Sequence, residues 1–136
     1  KLEDHFLGAS ELHGVGGGWR IEAPRLSWAV LDAVGCDGDV YISVDVDVLP
    51  RHQMRATAYP ADIGLPLDRV VALIHLIAAH NRIVGADLVE FAADRDNRDP
   101  ELLADAARAS ILLYELLRIA INRERTPKSE PRGPHA

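Results

Sequence analysis

Two β-branched runs with one helical period between them decide most of what this chain can fold into. VYISVDVDV (residues 40–48) and RIVGADLVE (residues 82–90) are rich in β-branched residues and bounded by turn formers, which predicts two strands. Between them Leu67, Val70, Val71, Ile74, Ile77 and Ala78 share one helical stripe, which predicts a helix over 66–79 that ends near Asn81. A strand, a crossover helix and a second strand form a parallel pair with the helix laid on the sheet. Upstream, Pro24 suits a first helical turn and Leu26, Val30, Leu31 and Val34 recur at helical spacing, predicting a helix over 24–34. Downstream, a helix over 100–122 is expected to bury Leu103, Ala106, Ala107, Ile111, Tyr114 and Leu117. Helices alternating with such strands predict an α/β fold in three layers, a parallel sheet covered by helices on both faces.

A chain of 136 residues has material for one domain with a real core, and that domain is placed at residues 23–122. Residues 1–22, with HGVGGGW, read as an irregular glycine-rich segment, because no strand precedes the glycines to make them a phosphate cradle. Residues 123–136 have almost nothing apolar to bury and are expected to be disordered. Residues 49–65 read as a long polar loop, and DRDNRD as a solvated loop of paired charges. A net charge of −6 makes no electrostatic case for nucleic acid or an anionic membrane. No apolar run is long enough to span a bilayer, and the opening residues, which begin at Lys rather than Met, show no positively charged start followed by an apolar run, so no secretory signal is expected. With Cys36 alone, neither an internal disulfide nor a thiolate metal cage is available, and a cytoplasmic location is the expectation.

The feature that calls for chemistry is the pair Asp45 and Asp47. Alternation along a strand puts Tyr41, Ser43, Asp45 and Asp47 on one face, with the two carboxylates roughly 6.5–7 Å apart at Cα near the strand's carboxyl end. That end lines the ligand crevice of open α/β sheets. Isolated carboxylates held out of water cost several kcal/mol each, and a divalent cation removes that cost, because hard cations take carboxylate oxygens. From the pattern alone, a metal or catalytic site stands beside the plainer reading of a solvated loop start.

SVDVDVLP resembles the Ser-x-Asp-x-Asp-x-x-Asp-Pro signature of the ureohydrolases, the arginase and agmatinase family. RHQMRATAYPADIGL lies without a gap on that family's loop after the signature, matching Thr57, Pro60, Gly64 and Leu65; IVGADLVEFAADRD resembles its later strand, and LLADAARASILLYELL the helix that follows. The resemblance runs over about residues 26–118 and implies an arginase-like fold, present here as the carboxyl-terminal part. It implies a manganese-dependent hydrolase of a guanidino or amidino C–N bond, in which a hydroxide bridging two Mn2+ ions attacks the substrate carbon. Residue by residue, Asp45 corresponds to the metal-bridging aspartate, Asp47 to the aspartate on one metal, and Glu90 to the glutamate that holds the planar guanidinium by paired hydrogen bonds. The partners implied are a small guanidino substrate and further copies of the chain.

The sequence also departs from the family pattern. The upstream Gly-Gly-Asp-His and Asp-Ala-His-x-Asp segments are not present intact, and EDHFLG and SELHG, which hold His5 and His13, echo family segments only faintly. Pro50 stands at the third aspartate of the signature, and Ala92-Ala93 replaces the Asn-Pro that follows the glutamate. The alternative is therefore a catalytically silent relative acting as a packing or regulatory subunit. An Asp-x-Asp at a strand end also opens haloacid-dehalogenase-type phosphatases, but Leu49 and the absence of a suitable Lys in the folded region count against that, and a nucleotide-sugar transferase has no supporting context. His52 is within reach of a metal at the strand end, His75 reads as a satisfied, partly buried histidine, His80 suits a helix end, and Trp19 and Trp28 read as core or interface anchors.

Overall fold

The structure, a computed structural model, describes residues 23–92 and 100–121. The glycine-rich start, the loop 93–99 and the tail lie outside the described residues, and with them His5, His13 and Trp19. Helix α1 (Ala23–Val34) leads into strand β1 (Asp39–Asp45), a turn of 3-10 helix (Val46–Val48), helix α2 (Leu67–His80), strand β2 (Arg82–Val89) and helix α3 (Pro100–Ile121). The expected elements are all there, in the expected order.

β1 and β2 pair in parallel, joined through α2. Val40 pairs with Ile83 and Tyr41 with Gly85, so Val84 is the extra residue of a bulge. From there Ile42, Ala86, Val44 and Leu88 line one face, and Tyr41, Gly85, Ser43, Asp87, Asp45 and Val89 the other. The first face meets α2 and α3 in one core containing Ile42, Val44, Ile83, Val70, Ile74, Ala109, Leu112 and Leu116. On the other face Tyr41 is half exposed, and its ring lies where a side chain at 85 would stand: a Cβ on Gly85 would sit 2.6 Å from Tyr41 Cε2. The fold is α/β with a parallel sheet; among the described residues its helices α2 and α3 share the core on one face.

Three expectations need correction. The strand ends at Asp45 rather than residue 48, because the Asp45 carboxylate caps a 3-10 turn in place of continuing the ladder. Residues 49–65 are not simply a polar loop: Leu49, Met54 and Ala56 are buried there at 0%, 0% and 2% exposure, as deep as any strand residue. The buried stripe of α3 is Asp105, Ala109, Leu112 and Leu116, whereas Leu103, Ile111, Tyr114 and Leu117 are exposed. That helix is apolar around most of its circumference, so its periodicity leaves the phase open, and only packing against β2 and α2 selects a face. Of the two readings of Trp28, core or interface anchor, its 72% exposure rules out the core.

The amino edge of the sheet is closed by Asn81, whose Oδ1 accepts from Gly38 N at 3.1 Å while its Nδ2 donates to the carbonyl of Gly35. Gly35 ends α1 at φ 82°, the left-handed cap that glycine adopts without a Cβ clash. His75 on α2 meets Glu115 on α3 at 2.7 Å, and Arg118 donates to the same Glu115 oxygen at 2.9 Å, tying the two helices together.

Candidate active site at the carboxyl edge

β1 delivers Asp45 as its last residue, and the register pairs Asp45 with Val89, so Glu90 stands one residue beyond that pair. Asp45 Oδ1 accepts the amide of Asp47 at 2.9 Å. The two aspartates are thus neighbours through a capped turn, not through strand alternation. Asp47 Oδ1 in turn accepts the hydroxyl of Thr57, which reaches it from the loop after the turn. Glu90 is exposed and has φ 64°, a left-handed backbone that costs a residue with a Cβ about 1–2 kcal/mol. Nothing in ordinary strand-to-loop geometry asks for a glutamate there, and strain of this kind collects at functional sites.

The segment carrying Glu90 is fastened to the same loop. Ala92 N donates to Ala56 O at 2.8 Å, one residue before Thr57. The loop itself is seated against the strand exit: Leu65 N donates to Val48 O at 2.7 Å, and Arg51 N to Ala61 O at 2.6 Å. Gly64 allows that seating, since a Cβ there would lie 2.4 Å from Val48 O and 2.7 Å from Pro50 N. Asp45, Asp47 and Glu90 are therefore brought to one edge, with Thr57 as a support that the sequence reading matched by position but to which it assigned no role. Asp87 was missed as well. It faces the same side as Asp45, accepts Tyr41 OH at 2.9 Å through Oδ2, and keeps Oδ1 buried with no partner among the described residues.

The described histidines do not join them. Among the described residues no group of three or more His, Cys, Asp or Glu side chains converges as a metal cluster. His80 closes α2 just before Arg82, which pairs with Asp39 at the opposite edge, roughly 20 Å of strand from Asp45. His52 lines a separate pocket of about 610 Å³ between the loop and α3, with Arg51, Arg55, Glu101, Asp105 and Arg108 among its walls. That pocket includes none of Asp45, Asp47 and Glu90, so the candidate site is an open edge of the sheet rather than this cavity.

Residues 19–117 match the family model described as the arginase family. The chain belongs to the arginase family. The match covers the two strands, the loop between Asp47 and α2, and most of α3. A formimidoylglutamase of Chromobacterium violaceum is 37% identical over 89 residues, 60% of this chain and 29% of that relative. Among solved structures, proclavaminate amidino hydrolase from Streptomyces clavuligerus superposes with a TM-score of 0.61 at 24% identity, over 85% of this chain and 35% of its own. Trypanosoma cruzi formiminoglutamase, solved with Mn2+, gives a TM-score of 0.53 at 19% identity, over 87% of this chain and 35% of its own. These two likenesses are of fold. The chain spans about a third of the length of the arginase-family proteins it matches, and the arginase-like architecture is present here as a part of it.

Two carboxylates do not make a two-manganese site by themselves, because Mn2+ surrounded by oxygen and nitrogen donors asks for a fuller shell. Among the described residues no such shell is gathered.

Proposed function

We propose that this chain carries part of the active site of an amidine-hydrolysing enzyme, with Asp45 and Asp47 as metal-directed carboxylates and Glu90 as the substrate anchor. The observation that carries the proposal is Glu90: a non-glycine residue held at φ 64° one position beyond the partner of Asp45, its carboxylate exposed at the edge where the two aspartates end. A carboxylate accepts two parallel N–H donors from a planar amidinium, and the same geometry serves a guanidinium. Manganese is the metal proposed, on the strength of the family and of the Mn2+ in the Trypanosoma cruzi neighbour. Its remaining ligands would come from outside the described residues.

Among amidines, the formimidoyl group is favoured over arginine or agmatine. The relatives at 37% and 47% identity over their matched stretches are named formimidoylglutamase. Hydrolysis of an N-formimidoyl amine adds one water across the C–N bond and releases the amine and formamide; a guanidine would release urea instead.

A second reading is supported by the incomplete ligand set: a silent member of the family that acts by association. Four measurements separate the two. With Mn2+ added, the chain is assayed for formamide from N-formimidoyl-L-glutamate and for urea from arginine and agmatine. Asp45→Asn should lower both bound manganese and turnover, whereas Glu90→Gln should lower turnover by about a hundredfold and leave manganese in place, as expected for an interaction with the substrate alone. No product from any of the three substrates would overturn the enzymatic reading.

A further inference from the structure

Asp105 has no place in the site described above, and among the described residues it is the one buried charged side chain, at 2% exposure. A carboxylate in that position is costly unless donors surround it. Its Oδ2 accepts the backbone amides of Arg55 at 2.8 Å and Ala56 at 3.1 Å, and its Oδ1 accepts Arg108 Nη1 at 3.0 Å. The same Arg108 nitrogen donates to the carbonyl of Gln53 at 2.9 Å, and Gln53 Oε1 accepts the first amide of α2, Leu67 N, at 2.9 Å. Three backbone groups of one loop, the amides of Arg55 and Ala56 and the carbonyl of Gln53, are thus held by one turn of α3. Leucine at 105 would fill the space but leave the Arg55 and Ala56 amides without this acceptor.

We infer that Asp105 is a positioning residue for the carboxyl edge, acting through Ala56; the inference rests on the functional reading of Asp47 and Glu90 given above. Ala56 is gripped at both ends. Its N–H goes to Asp105 and its carbonyl takes Ala92 N at 2.8 Å, two residues past Glu90. The next residue, Thr57, donates its hydroxyl to Asp47. Asp105 therefore sets, through one residue, the seats of both the metal-directed aspartate and the substrate anchor, without touching either.

The test uses the intact chain and needs no turnover, so it stays readable whatever the enzymatic assay returns. Amide hydrogen exchange is followed at Thr57 and Ala92 in Asp105→Ala, Asp105→Asn and a control, Leu112→Ala, which removes a core side chain of the same helix. Asp105→Ala should speed exchange at both amides by at least about tenfold beyond the general loss of protection, because it removes the acceptor of two adjacent loop amides at once. Leu112→Ala should lower protection throughout with no excess at those two. Asn keeps an acceptor for the Arg55 and Ala56 amides while losing the charge that faces Arg108, so Asp105→Asn should recover most of the protection. Should Asp105→Ala not fold, Arg108→Met takes its place, with a smaller excess expected at the same two amides. Equal exchange at Thr57 and Ala92 in the position-105 or position-108 variant and in the control would overturn the inference, as would failure of Asn to recover what Ala loses.

Discussion

The amide of Asp47 donates to Oδ1 of Asp45 across 2.9 Å, and that single bond ends the strand. It turns two residues that alternation would have set side by side on a sheet into the cap and the first turn of a 3-10 helix. Asp47 is left to be held by Thr57. Replacing Asp45 by Ala should cost about 1 kcal/mol of stability through the lost cap, and Asn, which still accepts, a few tenths. Urea unfolding of the two variants checks the difference.

Glu90 should show function and stability pulling apart. Glycine adopts φ 64° without a Cβ clash, so Glu90→Gly should leave the protein as stable or raise it by up to about 1 kcal/mol, while removing the proposed anchor. A thermal midpoint at or above the parent's, with substrate turnover abolished, is the expected pair of results. A clear loss of stability would mean that the glutamate is held there by contacts that repay its strain.

At Gly64 the expectation has the opposite sign. A methyl group there meets the carbonyl of Val48 and the peptide between Leu49 and Pro50, all backbone that cannot rotate away. Gly64→Ala should destabilise by about 1–3 kcal/mol, and in denaturant titrations its midpoint should fall with the slope unchanged.

Two groups give stability a pH dependence. The hydrogen bond from Tyr41 to the Asp87 carboxylate, with burial and the nearby negative charge adding to it, raises the Tyr41 hydroxyl above 10.0. A raised folded value means stability that is full below the unfolded tyrosine range and lost as pH climbs through the folded one. Unfolding midpoints should therefore drop above pH 10, and Tyr41→Phe should flatten that limb.

On the acid side, partial burial would push the Glu115 carboxyl up, but its hydrogen bonds to His75 and Arg118 and the charges of both outweigh that and hold it below 4.5. Its contribution is present above the unfolded glutamate range and is lost as pH falls through the lower folded value. In Glu115→Gln the stability lost between about pH 5 and pH 3 should be smaller than in the parent, measured by chemical denaturation across that range.

How far the sequence carried can be judged residue by residue. The Val70–Ile74 stripe on α2 was legible because that helix has polar residues opposite its apolar ones, so the period also defines the phase. On α3, leucines and alanines occur all round, and the inward turn of Asp105 runs against every hydropathy rule. It becomes intelligible only when the amides of Arg55 and Ala56, fifty positions away along the chain, arrive to satisfy it. The aspartate pair and Glu90 were visible as a motif. The φ of Glu90 and the Thr57 support were not, because neither leaves a local signature.

By itself, then, the sequence determined the order of elements and the parallel pairing, since these follow from periodicity and turn chemistry acting over a few neighbouring positions. Tertiary structure alone decided which stripe of α3 faces inward, that Met54 and Ala56 join the core, and that one buried carboxylate fastens the loop joining Asp47 to Glu90. Those choices depend on donors, acceptors and volumes that meet only after distant segments have packed, and pairing of that kind leaves no period to read.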